Sequence, residues 1–203
     1  MLTLPVPAQA AEMMFTYLDK VYPVPPALID ELMDGGVQFI KLRHRQFLLE
    51  AGDVCKNLYF IHKGLLRCYY IKENEETGEE TEVNTWFMRE RDICVSVHSY
   101  YKQAPSYEYI QALEDCELIC IAHDKLEEVY RKYIDFNFIG RVLTVEYLLD
   151  WAEQLKDIRM LKAQQRYEAF RKRAPELEQR VPQKYLASFL DMQPETLSRA
   201  RGN

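Results

Sequence analysis

The sequence predicts an α+β chain: a small N-terminal β-barrel or jelly roll, then a long helix, then a C-terminal helix-turn-helix. Three observations carry this. Between Val37 and Ala122 the pattern runs in short β-branched and aromatic stretches broken by turn residues. From about Asp135 apolar residues recur at alternating spacings of four and three, the repeat of a helix with an apolar seam. The stretch from Val181 to Arg201 reads as two short helices around a tight corner.

Taken in order, residues 9–20 and 26–34 are helix-like, the second starting at Pro25 and Pro26 and closed by Gly35-Gly36. The runs VQFIKL, RQFLLE, NLYFIHK, LLRCYYI, EVNTWF, YEYIQAL and CELICIA are the expected strands, punctuated by Gly52-Asp53, Gly64, a turn around Gly78, and Asp92. Asp124 is expected to cap a short helix through Tyr130. In the long helix that follows, Phe138, Val142, Val145, Leu149 and Ala152 form a seam suited to a second helix, so a homodimer is expected there. Packing on its own barrel is the alternative, and Leu148, Trp151 and Leu155 are placed to face that barrel. The expected divisions are residues 1–132, 133–160 and 161–203.

The corner between the two C-terminal helices is more informative. Pro182 suits the first turn of one helix, which turns Tyr185, Leu186, Phe189 and Leu190 inward and places small Ala187 where a neighbour approaches closely. Asp191 and Met192 make the turn, Asp being one of the few non-glycine residues that tolerate the left-handed conformation. Pro194 restarts the chain, and Glu195 favours the positive end of the new helix. Leu197 and Ala200 then point inward, Gly202 fits the position past the helix end, and Glu195, Ser198 and Arg199 point outward, with Thr196 near the exposed start. Arg, Glu and Ser there are side chains that read base edges in a major groove. A plain helical hairpin with a solvated charged side has the same pattern.

Composition sets further bounds. With 48% hydrophobic and 29% charged residues, the chain can bury one or two cores. The start, MLTLPVPAQAAEMMF, lacks the basic segment and apolar core of a secretory signal, and no membrane span is visible. The five cysteines are therefore expected in a reducing cytoplasm without disulfides. The net charge of −6 is uneven: residues 159–203 carry ten basic and five acidic residues, leaving sixteen and twenty-seven to the rest. A basic module on an acidic body is the distribution expected if the module alone meets double-stranded DNA.

Barrel, long helix and C-terminal helix-turn-helix, in that order, resemble the CRP/FNR family of bacterial transcription regulators. The stretch "EAGD...LYFIHKGLLRCYY" is similar to the family's Gly-Asp turn and Tyr-Ile-x-x-Gly strand pair, here Gly52, Asp53, Tyr59, Ile61 and Gly64. "PETLSRAR" is similar to its recognition helix, which implies base contacts for Glu195, Ser198 and Arg199. The resemblance spans roughly residues 35–201 and implies a cyclic-nucleotide-binding-like barrel, a dimerisation helix and paired DNA-reading heads.

Two departures bear on function. Cyclic-nucleotide-binding members carry a Gly-Glu pair and an Arg-Ser/Thr-Ala run that hold ribose and phosphate. Here Val95 and Ser96 stand at the first, Ser106 and Tyr107 at the second, and no Arg occurs between Arg91 and Arg131. Without a bidentate Arg for the buried phosphate, cyclic AMP and cyclic GMP are expected to bind weakly or not at all. Tyr100, Tyr101, Tyr107 and Tyr109, with Ser96 and Ser106, either line a pocket for an unidentified small-molecule effector or fill the space of a degenerate scaffold. The second departure is that the family continues into a β-hairpin wing, whereas this sequence stops at Asn203. Lys184, Arg180, Arg201 and the Arg171-Lys172-Arg173 run are the candidates for phosphate contacts.

Other chemistry finds little support. Cys116 and Cys120 on one strand face lie about 13 Å apart, too far to share a metal ion, so no metal and no cofactor is expected. The histidines stand apart, without a nucleophile, base and orienting acid as a set, so no enzyme is expected.

Overall fold

The computed structural model describes residues 4–202. Helices α1 (Ala8–Asp19) and α2 (Pro26–Glu31) come first, α2 opening on Pro26 and ending in a wide turn, Leu32–Gly36, where Gly35 takes a positive φ of 88°. The strands follow as β1 (Gln38–Leu42), β2 (Phe47–Leu49), β3 (Asn57–Lys63), β4 (Leu66–Glu73), β5 (Glu80–Met88) and β6 (Ile93–Cys94). Helix α3 (Val97–Lys102) separates these from β7 (Tyr109–Ala112) and β8 (Cys116–Ala122). Then come α4 (His123–Lys132), α5 (Phe136–Met160), α6 (Ala163–Arg173), α7 (Leu177–Arg180), α8 (Gln183–Phe189) and α9 (Pro194–Gly202).

The strands form two four-stranded sheets, in the orders β1-β8-β3-β6 and β2-β7-β4-β5. The long antiparallel β3–β8 ladder sets Leu58 opposite Ile121 and Ile61 opposite Leu118. This register turns Ile61, Leu118 and Cys94 into the core, with Leu65, Leu66, Ile110 and Ala112 from the neighbouring elements. The expectation of a small β domain holds in these two sheets, whose strands β3, β4 and β8 each bury runs of three or four consecutive residues. At the β3–β4 turn Gly64 has φ +102°, and a Cβ there would meet the Asp115 carbonyl oxygen at 2.8 Å and the Cys116 Cα at 2.9 Å, so only glycine fits.

Compact units fall at other places than the expected divisions. One consists of Met1–Cys68 with Phe87–Thr144, the other of Tyr69–Trp86 with Val145–Asn203. The outer part of the β4–β5 hairpin thus belongs with the C-terminal helices, and α5 is shared. In the first unit Glu31 joins α2 to α4: its carboxylate accepts from Lys125 Nζ (2.8 Å), Lys132 Nζ (2.5 Å) and the Tyr133 hydroxyl (3.0 Å). These donors hold its pKa at about 2, below the ordinary 4.5.

Several local expectations change. Asp124 is not the cap of α4: the N-cap is Ala122, and Asp124 lies in the first turn, its carboxylate 3.0 Å from His123 Nδ1. Pro182 is an N-cap rather than the first helical residue, and α9 runs on through Gly202. Leu148, Trp151 and Leu155 are not covered; they are exposed at 56%, 57% and 41%. The buried side of α5 is instead Phe136, Ile139 and Leu143, again three and four apart, so the helix had two apolar stripes from which pattern alone could not choose.

Candidate functional site

The α8–α9 pair is built from its corner. Asp191 takes φ 51°, the left-handed turn expected of it, and Met192 N–H donates to the Ala187 carbonyl (3.0 Å). Leu186, Ala187, Leu190, Leu197 and Ala200 are buried, which seats α8 against α9 through the small Ala187. Arg166 on α6 fastens the corner from outside, donating to the carbonyls of Asp191 (2.8 Å) and Ile158 (3.0 Å). Gln183 Nε2 donates to the Pro194 carbonyl (3.0 Å), tying the starts of the two helices together.

Burying Leu197 and Ala200 fixes what α9 presents. Glu195, Ser198 and Arg199 are exposed on its other side, and Thr196 is half-buried. Arg199 Nε lies 3.4 Å from the Glu195 carbonyl, a reach of one helical turn that leaves the guanidinium in solvent. Lys184 is exposed at the start of α8, its ammonium 4.6 Å from the Tyr185 ring centre. Other basic residues are committed. Arg201 donates to the Glu178 carbonyl (3.2 Å), and Glu178 also takes a short hydrogen bond from the Tyr167 hydroxyl. Arg173 is drawn to the nearly buried Asp157 at 2.7 Å and to Glu153 at 3.7 Å. Arg171 and Lys172 line a shallow groove with Gln164, Tyr167 and Glu168.

Two backbone groups of β5 bring in a residue that sequence reasoning missed. The Ser188 hydroxyl on α8 accepts from Asn84 N–H (3.0 Å) and donates to the Glu82 carbonyl (2.9 Å). Gln154 on α5 donates to the Thr85 carbonyl (3.3 Å) of the same strand. Polar Ser188 on the side of α8 away from the corner was the available signal.

Along α5 the predicted seam is exposed in the single chain. Phe138 is 42%, Val145 43% and Leu149 63% exposed; Ala152 is also exposed and Val142 half-buried.

At the cassette position the predicted residues separate. Tyr100 is buried, edge-on to His123 and Tyr101, and burial pushes its phenol pKa up. Tyr101 is exposed, Tyr107 lies outside against His98 (ring centres 5.3 Å apart), and Tyr109 packs against Phe47. The tyrosines are therefore not gathered on one side: α3 is helical, and its one-residue step of about 100° turns Tyr100 in and Tyr101 out. The serines do converge. Ser96 and Ser106 are buried with their hydroxyl oxygens 3.1 Å apart, and Ser96 donates to the carboxylate of Glu108 (2.7 Å). Ser106 accepts from Glu108 N–H (3.1 Å) and donates to the Glu108 carbonyl (2.9 Å). Desolvation raises the Glu108 pKa, partly opposed by the Ser96 hydrogen bond. Glu108 follows Ser106 and Tyr107, at the third position of the run compared with Arg-Ser/Thr-Ala; its charge there was the overlooked signal.

The five cysteines are buried and free, and burial pushes each thiol pKa up. Among the described residues no cluster fit to hold a metal ion is found, and no helix is long and apolar enough to cross a membrane.

Two four-stranded sheets with a short helix between β6 and β7, followed by a long helix and further C-terminal helices, have the architecture of a cyclic-nucleotide-binding type of β-sandwich with helices. Residues 39–133 match the family model of the cyclic nucleotide-binding domain. No curated protein matches the sequence significantly. Among solved structures the chain is similar to FixK2 from Bradyrhizobium japonicum, with a TM-score of 0.66, 14% identity, and 82% of this chain and 83% of that one covered. It is also similar to CLP, a c-di-GMP-responsive global regulator of Xanthomonas campestris, with a TM-score of 0.65, 15% identity and coverage of 87% and 90%. A third is the Thermus thermophilus catabolite activator protein, with a TM-score of 0.54, 17% identity and coverage of 92% and 85%. These neighbours are regulators of the CRP/FNR type, and at such identities what they share with this chain is the fold.

Proposed function

We propose that this chain is a transcription regulator of CRP/FNR type that binds double-stranded DNA sequence-specifically as a homodimer and catalyses no reaction. The observation that carries this is the outward placement of Glu195, Ser198 and Arg199 on a helix whose Leu197 and Ala200 are buried. Arg199 reads guanine O6 and N7, Glu195 accepts from a cytosine amino group, and Lys184 holds a phosphate. The exposed seam of α5 supports the dimer, since paired reading heads need a two-fold axis. Burial of the cysteines as free thiols fits a reducing, cytoplasmic setting.

The barrel serves as a sensor or as a scaffold without a cyclic-nucleotide effector. Selection of bound fragments from random DNA tests the proposal: an inverted repeat with half-sites about 34 Å apart supports it. A second reading, an interaction or ligand-sensing module without productive DNA binding, draws on Arg173 being held by the Asp157 carboxylate and Arg201 by the Glu178 carbonyl. Recovery of no enriched sequence would favour that reading.

A further inference from the structure

Lys184, the residue of α8 assigned to a phosphate, shares its side of the helix with Ser188, one turn further on. Ser188 is already engaged. Its hydroxyl accepts from the N–H of buried Asn84 (3.0 Å) and donates to the Glu82 carbonyl (2.9 Å), and Gln154 donates to the Thr85 carbonyl (3.3 Å) of the same strand. The strand so held is the return arm of the β4–β5 hairpin, where residues 72–82 read KENEETGEETE, six glutamates against one lysine. Glu73, Glu75, Glu76, Glu79 and Glu80 are exposed. One turn of α8 is about 5 Å and two strand residues about 7 Å, so Glu80 and Glu82 stand within roughly two Debye lengths of Lys184 at physiological salt. Gln183, next to Lys184, is bonded to the Pro194 carbonyl (3.0 Å), so this end of α8 lies at the start of the reading helix α9.

We propose that the β4–β5 hairpin is an autoinhibitory guard, latched by Ser188 to the side of α8 that carries Lys184, so that its glutamates repel DNA until the latch opens. The inference rests on the DNA-binding reading and adds a control to it. Three side-chain hydrogen bonds fix the strand well enough to keep its charge in place, yet they can break without unfolding a core. Both arms of the hairpin run on into the other compact unit, β4 beginning at Leu66 and β5 ending at Met88. The barrel therefore has a covalent path to the latch through its own strands.

Titration of a fluorescent duplex carrying the selected inverted repeat with the full chain, at stated salt, tests this. Ser188→Ala removes both of its latch bonds while Leu186, Ala187 and Leu190 stay buried against α9, and it should bind DNA about fivefold or more tightly than the wild type. Glu75→Gln, Glu76→Gln, Glu79→Gln and Glu80→Gln combined keep the latch but remove four exposed charges. That variant should also bind more tightly at low salt, with the gain fading as salt rises, as repulsion through solvent requires. Added to Ser188→Ala, the same four changes should gain little further, because a released hairpin no longer holds its charge at α8. Full additivity of the two gains overturns the latch. Equal affinity of the wild type and both variants, with base preference preserved, overturns the guard and leaves the DNA-binding reading standing. Failure of all three to bind any duplex overturns that reading and the guard with it. Should Ser188→Ala not fold, Gln154→Ala loosens the same strand in its place, and unchanged affinity there overturns the guard.

Discussion

Leu149→Ala tests the dimer at a strongly exposed apolar position of the proposed seam. Leu149 is 63% exposed in the protomer, above Phe138 at 42% and Val145 at 43%. Burying a leucine side chain fully contributes about 1.5–3 kcal/mol, so burying the remaining part contributes roughly 1–2 kcal/mol per copy. Two-fold symmetry uses the residue twice, and truncation to Ala removes most of each contribution, for a total of about 2–3 kcal/mol. At about 1.4 kcal/mol per tenfold change, the dimer dissociation constant should rise roughly 30- to 150-fold. The protomer itself should fold as before, because the side chain is exposed there and alanine is the strongest helix former. Sedimentation equilibrium over nanomolar to micromolar concentration reads the constant directly. A monomeric wild type, or a dimer equally tight in the variant, would refute the argument and leave the exposed stripe of α5 unexplained by self-association.

Arg199→Ala should cost roughly 1–3 kcal/mol on the selected duplex and relax preference at one base pair per half-site. Lys184→Ala should weaken all duplexes alike and flatten the salt dependence; titrations at fixed, stated salt separate the two. Gly64→Ala should lower stability by more than about 2 kcal/mol, since positive φ and a backbone clash act together, and the urea midpoint checks it. Glu31 has a folded pKa of about 2, below its ordinary 4.5. Its stabilisation is therefore present above pH 4.5 and disappears as pH falls towards 2, and Glu31→Gln should remove that part of the acid dependence of the melting temperature. Cyclic AMP should show no micromolar affinity in calorimetry, because Ser106 stands where an arginine would hold its phosphate.

Much of the fold was legible because its signals are local. Strands β3 and β8 coincide with NLYFIHK and CELICIA, short runs rich in aromatic and β-branched residues and bounded by turn residues. The left-handed Asp191 was legible for the same kind of reason, a corner needing one of few residue types. Two-residue β6 was not, because Ile93 and Cys94 are too few to show a period and owe their conformation to pairing with Tyr59 and Phe60. Helix α3 was hidden by comparison with a cassette, which drew attention to missing residues rather than to the spacing of Ser99 and Tyr100. Of the candidate site, the outward face of α9 was readable, because inward and outward positions on a helix follow from its period. Arg201 was not, because its commitment to Glu178 depends on where α7 lies. Glu108 and Ser188 act through partners twelve and about a hundred residues away, which no window on the sequence contains.

The Ser188 hydroxyl has a further role, in the chain's behaviour towards other copies. Strand β5 is the outer strand of its sheet, nine residues long, and an outer strand offers unpaired backbone groups to any extended segment that approaches. Ser188 binds two backbone groups of this strand, the Glu82 carbonyl and the Asn84 N–H, and Gln154 binds the Thr85 carbonyl, while Glu79 and Glu80 place like charges at the strand's entrance. The chain thus carries its own protection against edge-to-edge aggregation. Loosening α8 from β5 would uncover a template for strand addition, and solubility would suffer before the core melted.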